Sequence, residues 1–185
     1  PDIPKSIFVV PDAKKCAIEL CSFSKTAGFT GTRCGYTVVP HALKRKAADG
    51  KEFELNKMWL RRQTTKFNGV PYIVQRGAEA VFSDQGQKEC GDMLEYYREN
   101  ARIIMATLDK KGIKYFGGVY SPYIWMQCPH GMKSWDFFDY LLEKLAVVGT
   151  PGAGFGQMGE GYFRLTAFGS REGTIEAMKR FEDGL

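Results

Sequence analysis

Residues 21–33, CSFSKTAGFTGTR, set one lysine among small hydroxyl residues and glycines and follow it with an arginine eight positions on. Ser22 stands three residues before Lys25 and Ser24 one before. Gly28, Gly31 and Arg33 come after it. Hydroxyls and a guanidinium fork are what a phosphate dianion takes, and arginine grips it bidentately. Glycines let backbone approach a ligand closely. A lysine beside such a phosphate is placed to form a Schiff base with an aldehyde on the same ligand. A nearby cation and partial burial would favour its neutral, nucleophilic form. The stretch lacks the Gly-Lys-Ser/Thr ending of a nucleotide P-loop. Taken alone it also fits a surface lysine in a polar turn, as short motifs often do.

Outward from this stretch the chain alternates strand-like and helix-like segments. Residues 7–10 and 16–21 are short β-rich runs, and residues 34–39 predict a strand stopped by Pro40. Residues 44–54 are charged, contain Asp49-Gly50 and read as a loop or linker. Residues 55–82 are mostly helical in pattern, broken near Asn68-Gly69-Val70-Pro71. Met93, Tyr97, Ala101, Ile104 and Leu108 recur at steps of three and four, predicting a helix over 91–112 that Gly112 ends. Strands are expected at 123–127, 147–148 and 162–168, and a last helix at 174–182. Ser134 is expected to cap a helix whose stripe is Phe138, Leu141, Leu142 and Leu145. Such alternation is α/β or α+β.

Composition narrows the classes. The 185 residues are 44% hydrophobic and 25% charged, enough for a real core. A net charge of +5, with only short clusters such as Lys44-Arg45-Lys46 and Arg61-Arg62, reads as solvated faces and not a nucleic-acid footprint. The five cysteines, at 16, 21, 34, 90 and 128, are odd in number, and none has the two-residue spacing of a zinc or redox motif. With only His41 and His130 besides, no metal site is expected, and reduced thiols fit a cytoplasmic protein. No apolar run is long enough to span a membrane, and no signal peptide is expected.

Two further features carry chemistry. Gly154-Phe155-Gly156-Gln157-Met158-Gly159 fits G-x-G-x-x-G, but a dinucleotide site needs a helix opening directly after it. Here a strand follows, so a packed or flexible loop is expected. In that strand Phe163, Leu165 and Ala167 point one way, and Tyr162, Arg164 and Thr166 the other. An arginine mid-strand requires an anion or water. Trp125, Trp135 and Phe137 read as packing residues.

The stretch from Ser22 to Arg33 resembles the pyridoxal-phosphate lysine segment of fold-type I aminotransferases. Within them, the chain is most similar to the LL-diaminopimelate aminotransferase family. Residues 61–69 (RRQTTKFNG), 148–156 (VGTPGAGFG) and 160–170 (EGYFRLTAFGS) support that narrower likeness. The resemblance implies the C-terminal part of such a fold. Residues 1–53 would be the last strands of the large mixed-sheet cofactor domain. Residues 54–185 would be linking helices and the small α+β domain.

The resemblance further implies a transaminase acting on amino acids and 2-oxo acids as a homodimer, with LL-diaminopimelate and 2-oxoglutarate expected. Lys25 would anchor pyridoxal 5′-phosphate and then move protons, and Ser22 and Arg33 would hold its phosphate. Ser24 would complete the turn. Asn68 would reach the cofactor and substrate end of the site across the dimer interface, although Asn-Gly is also a common turn pair. Arg62 and Lys66 would line the same region. Arg164 would clamp the substrate α-carboxylate. The family's ring-nitrogen aspartate, ring-oxygen tyrosine, glycine-rich phosphate turn and ring-stacking aromatic fall upstream of this sequence, and Asp2 is too near Lys25 to be that aspartate. A start within a fold is therefore expected, with strand edges left unpaired. Two other readings remain: another fold-type I transaminase, aspartate- or alanine-like, and a non-catalytic ligand-sensing relative.

Overall fold

Residues 4–185 are described in the computed structural model, and Asp2 lies outside them. Packing divides the chain after Cys90.

In the first unit, residues 7–9 form a 3-10 turn where a strand was expected. Ser6 Oγ accepts from Phe8 N at 3.1 Å, and that cap turns the backbone. Next come α1 (Ala13–Cys16) and β1 (Glu19–Ser22). The strand starts later than expected because Ala17 N donates to Ala13 O at 2.8 Å, closing a helical turn over its first residues. β1 pairs antiparallel with β2 (Gly35–Val38), in register from Glu19↔Val38 to Ser22↔Gly35. Between them lies α2 (Phe23–Thr26). Residues 44–54 form a hairpin, not a loop: β3 (Lys44–Lys46) pairs with β4 (Glu52–Glu54) around Gly50, whose φ is 83°. Its signal was hidden because these strands are charged, and Lys44 Nζ meets Glu52 Oε1 at 3.0 Å across them. Then come α3 (Leu55–Lys66) and α4 (Tyr72–Ala80), with the expected break between them. The ring of Phe23 packs against Phe29, Tyr36 and Phe82 at centroid distances of 5.7, 5.6 and 5.8 Å.

α5 (Asp84–Lys110) starts earlier than its apolar face suggested, because Ser83 caps it: Gly86 N donates to Ser83 Oγ at 3.1 Å. In the second unit, β5 (Tyr115–Gly117), β6 (Tyr123–Gln127), β7 (Thr150–Pro151) and β8 (Tyr162–Thr166) make one antiparallel sheet in the order β5-β6-β8-β7. β5 was not anticipated, and no strand forms at 147–148. α6 (Ser134–Tyr140) runs into a π turn, Leu141–Leu145, ended by Ala146 at φ 50°. That wider turn rotates the apolar face, so Phe137 and Leu141 are buried while Leu142 is exposed. α7 (Arg171–Gly184) begins at the Ser170 cap, which accepts from Gly173 N.

The core gathers Ala101, Ile104 and Leu108 of α5 with Ile124 and Met126, Phe163 and Leu165, and Phe137 and Phe181. Phe163, Leu165 and Ala167 face it, as the alternation predicted. Each fully buried Phe or Leu of this kind contributes roughly 1.5–3 kcal/mol.

Candidate functional site

The β1–β2 hairpin gathers Ser22, Lys25 and Arg33 at one end. Ser22 closes the ladder opposite Gly35, and Phe23 N donates to Cys34 O at 3.1 Å just beyond it. A Cβ on Gly35 would stand 2.7 Å from Cys21 O, so the strands approach too closely there for another residue. Ser22 Oγ caps α2 by accepting from Ser24 N at 3.1 Å, and keeps its own proton to donate. Thr30 Oγ1 donates to Ser24 O, and Arg33 N to Phe29 O, folding the loop back on α2. Arg33 holds a left-handed backbone, φ 63°, and spends one guanidinium N–H on Thr30 O at 2.8 Å. Lys25, in α2, is exposed; the partial burial expected for it is not supplied within this unit. Beneath the hairpin, Ser6 Oγ donates to Glu19 Oε2 at 2.6 Å and holds that carboxyl below its ordinary pKa.

Asn68 ends α3. Its N–H and that of Phe67 both donate to Gln63 O, and Asn68 lies at φ 65° before Gly69 at φ 104°. The turn reading therefore accounts for its backbone, while its side chain is exposed. Lys66 is exposed, and the Arg62 guanidinium lies over the Trp59 ring at 5.7 Å.

Arg164 lies in the second unit, at the centre of β8. Its direct neighbours are Trp125 on β6 and Thr150 on β7. The guanidinium carbon sits 4.5 Å from the centroid of the Tyr123 ring and 4.7 Å from that of Phe155. Its Nη2 reaches Thr150 Oγ1 at 3.4 Å, a long hydrogen bond, and its Nε is buried with no hydrogen-bond partner. Trp125 stacks on Tyr162 at 5.7 Å and meets Phe155 edge-on at 5.5 Å. Tyr123, Thr150 and Phe155 were missed as site residues, and Trp125 was read as packing. The pairing of β8 with β6 brings Tyr123 and Trp125 to Arg164, and its pairing with β7 brings Thr150 and the turn that carries Phe155; the sequence displays neither pairing. Phe137 is core, and Trp135 is exposed.

The G-x-G-x-x-G run forms two 3-10 turns, Gly152–Phe155 and Gln157–Gly159, and leads into β8 without a helix. A Cβ on Gly152 would stand 2.2 Å from Gly159 O, so these two glycines serve close packing, whereas Gly154 has open space beside it and Gly156 serves its φ of 114°. Ser134 is the first residue of α6 and not its cap. Its buried hydroxyl donates toward Gly159 O and Tyr162 O and accepts from Gly161 N at 3.0 Å. Glu160 Oε1 accepts from Ser134 N at 2.7 Å and Gly161 N at 3.0 Å, which hold its carboxyl below the ordinary value. Burial, then Glu160, pushes the Cys128 thiol up to about 11. Among the described residues all five cysteines are free, no cluster could hold a metal, and no helix is long and apolar enough to cross a membrane.

The model for aminotransferases of class I and II matches residues 4–181. The LL-diaminopimelate aminotransferase of Chlamydomonas reinhardtii superposes with a TM-score of 0.87 at 48% identity, covering 99% of this chain and 44% of that one. A probable N-succinyldiaminopimelate aminotransferase from Thermus thermophilus gives 0.75 at 27% identity, over 97% of this chain and 45% of that one. An aromatic aminotransferase from Pyrococcus horikoshii gives 0.73 at 25%, over 90% and 42%. The chain thus spans under half the length of each.

Proposed function

The chain belongs to the class I and II aminotransferase family, and from that we propose that it carries the anchoring lysine, part of the phosphate cup and the carboxylate clamp of an LL-diaminopimelate:2-oxoglutarate aminotransferase. Members of the family generally use pyridoxal phosphate, act on amino acids and 2-oxo acids, and form dimers. The observation that carries the substrate assignment is the 48% identity over 99% of this chain to the algal enzyme. The weaker matches, at 25–27%, speak for the family and not for a substrate.

The donor set suits a phosphate-bearing aldehyde. Ser22 has a hydroxyl proton to give, Arg33 has N–H groups beyond the one on Thr30 O, and Lys25 offers a primary amine from the same loop. Bound pyridoxal phosphate would supply the electron sink for charge developing at the substrate Cα. Lys25 Nζ would first be the covalent anchor and, once released, the base that takes the Cα proton and returns it. Ser22 and Arg33 would fix the phosphate, and Asn68 would serve the cofactor and substrate end, with a second copy of the chain. Arg164 would hold the α-carboxylate. We assign residues 1–53 to the cofactor domain and 54–185 to linking helices and the small domain, in a longer, dimeric, cytoplasmic protein.

The test is to incubate the longer chain carrying these residues with pyridoxal phosphate, reduce with borohydride and map the modified peptide. Modification confined to Lys25, with turnover of LL-diaminopimelate and 2-oxoglutarate, is expected. Turnover of aspartate or alanine instead would overturn the substrate. Modification scattered over surface lysines would overturn the site.

A further inference from the structure

Arg164 is held by rings and not by an acid. Among the described residues no carboxylate pairs with it, its Nε has no partner, and its Nη2 has only the long contact to Thr150. Tyr123 reaches it from β6, on one side of β8, and Phe155 from the turn after β7, on the other. We propose that Phe155 is a positioning residue for substrate: together with Tyr123 it fixes the Arg164 guanidinium by its faces, so that the N–H edge is presented to a substrate carboxylate. This rests on Arg164 being the carboxylate clamp.

The chemistry favours this arrangement. A guanidinium is weakly hydrated on its faces and strongly donating at its edge, so aromatic rings occupy the faces without competing for the N–H groups. A carboxylate binds in the guanidinium plane through two parallel hydrogen bonds. An acidic partner would have occupied that edge. Holding the side chain in place beforehand also removes an ordering cost from substrate binding. Phe155 is 53% exposed, so its ring contributes little to the core. The loop that carries it takes its shape from the Gly152–Gly159 approach and the Ser134–Glu160 bonds, neither of which involves the Phe155 ring. A substitution at Phe155 therefore leaves the fold in place.

The experiment is steady-state kinetics on the longer chain, with LL-diaminopimelate and 2-oxoglutarate. Phe155→Ala is expected to raise KM for both substrates by roughly three- to thirtyfold, because both present a carboxylate to the same group. The value of kcat should stay within about threefold, the signature of binding shared by ground and transition states. Phe155→Tyr and Phe155→Trp should restore KM, and Phe155→Leu, which keeps bulk but has no ring face, should not. Rescue by leucine, or an unchanged KM in Phe155→Ala, overturns the proposal. So does a fall in kcat and melting temperature without a KM change. A wild-type chain that turns over no amino acid overturns the functional reading instead. Binding of 2-oxoglutarate, followed by Trp125 fluorescence against a Trp125→Phe control, then separates the two without turnover: binding lost in Arg164→Ala upholds the clamp, and with the clamp upheld, binding weakened by Phe155→Ala supports the proposal, while binding indifferent to Phe155 sinks it.

Discussion

Asn68 has a backbone role in its turn and a proposed role toward cofactor and substrate, and the choice of substitution separates the two. Its left-handed backbone, φ 65°, is tolerated by asparagine and free for glycine, but costs alanine about 1–2 kcal/mol. Asn68→Gly should therefore melt close to wild type while Asn68→Ala melts lower. If the amide serves cofactor and substrate as proposed, Asn68→Gly should still lose roughly tenfold or more in turnover, the worth of one lost hydrogen bond. Full activity in the glycine variant would leave Asn68 as a turn residue alone. At this scale the lysine loop was legible as a motif, because Ser22, Lys25, Gly28 and Arg33 fall within one short segment. The surroundings of Arg164 were not, because Tyr123, Thr150 and Phe155 come to it through strand pairing, which leaves no local trace.

Elements form where local capping agrees with the pattern, and they shift where a cap intervenes. Ser6 bends residues 7–9 out of an extended run, and Ser83 starts α5 ahead of its apolar face. The serine expected to cap α6 instead joins that helix to the start of β8, the strand that carries Arg164. Ser134→Ala would leave buried backbone groups of residues 159–162 without their hydroxyl partner. It should destabilise the chain by about 1–3 kcal/mol in urea titrations. Glu160 adds a pH dependence of known sign. Its folded-state carboxyl titrates below the ordinary 4.5, owing to the N–H groups of Ser134 and Gly161. The stability it contributes is thus fully present above 4.5 and is lost as pH falls through the lowered value. Urea midpoints of wild type and Glu160→Gln, compared at neutral pH and below 4.5, should converge on acidification. A constant difference would mean the carboxylate is not held in this way.

Over the whole chain, burial is uneven. In the first unit the buried apolar residues are Ala13, Phe23, Val39, Leu43 and Ala78, while Leu20, Tyr72 and Ile73 are each at least 74% exposed. The second unit closes a continuous core around its four strands. Backbone amides in β6, β8 and the buried part of α5 should therefore exchange slowest with deuterium, and those before residue 82 much faster. Equal protection in both units would contradict this.

The strand order β5-β6-β8-β7 also fixes when that core can exist. β8 is the last of these four strands to leave the ribosome, yet it lies between two made earlier. Until residues 162–166 emerge, β6 and β7 each travel with an open edge, the condition in which nascent polypeptides cross-pair with neighbours. A message cut short before Tyr162 would thus yield a product that lacks Arg164 and is adhesive as well, adding a burden on the chaperones to the loss of that side chain.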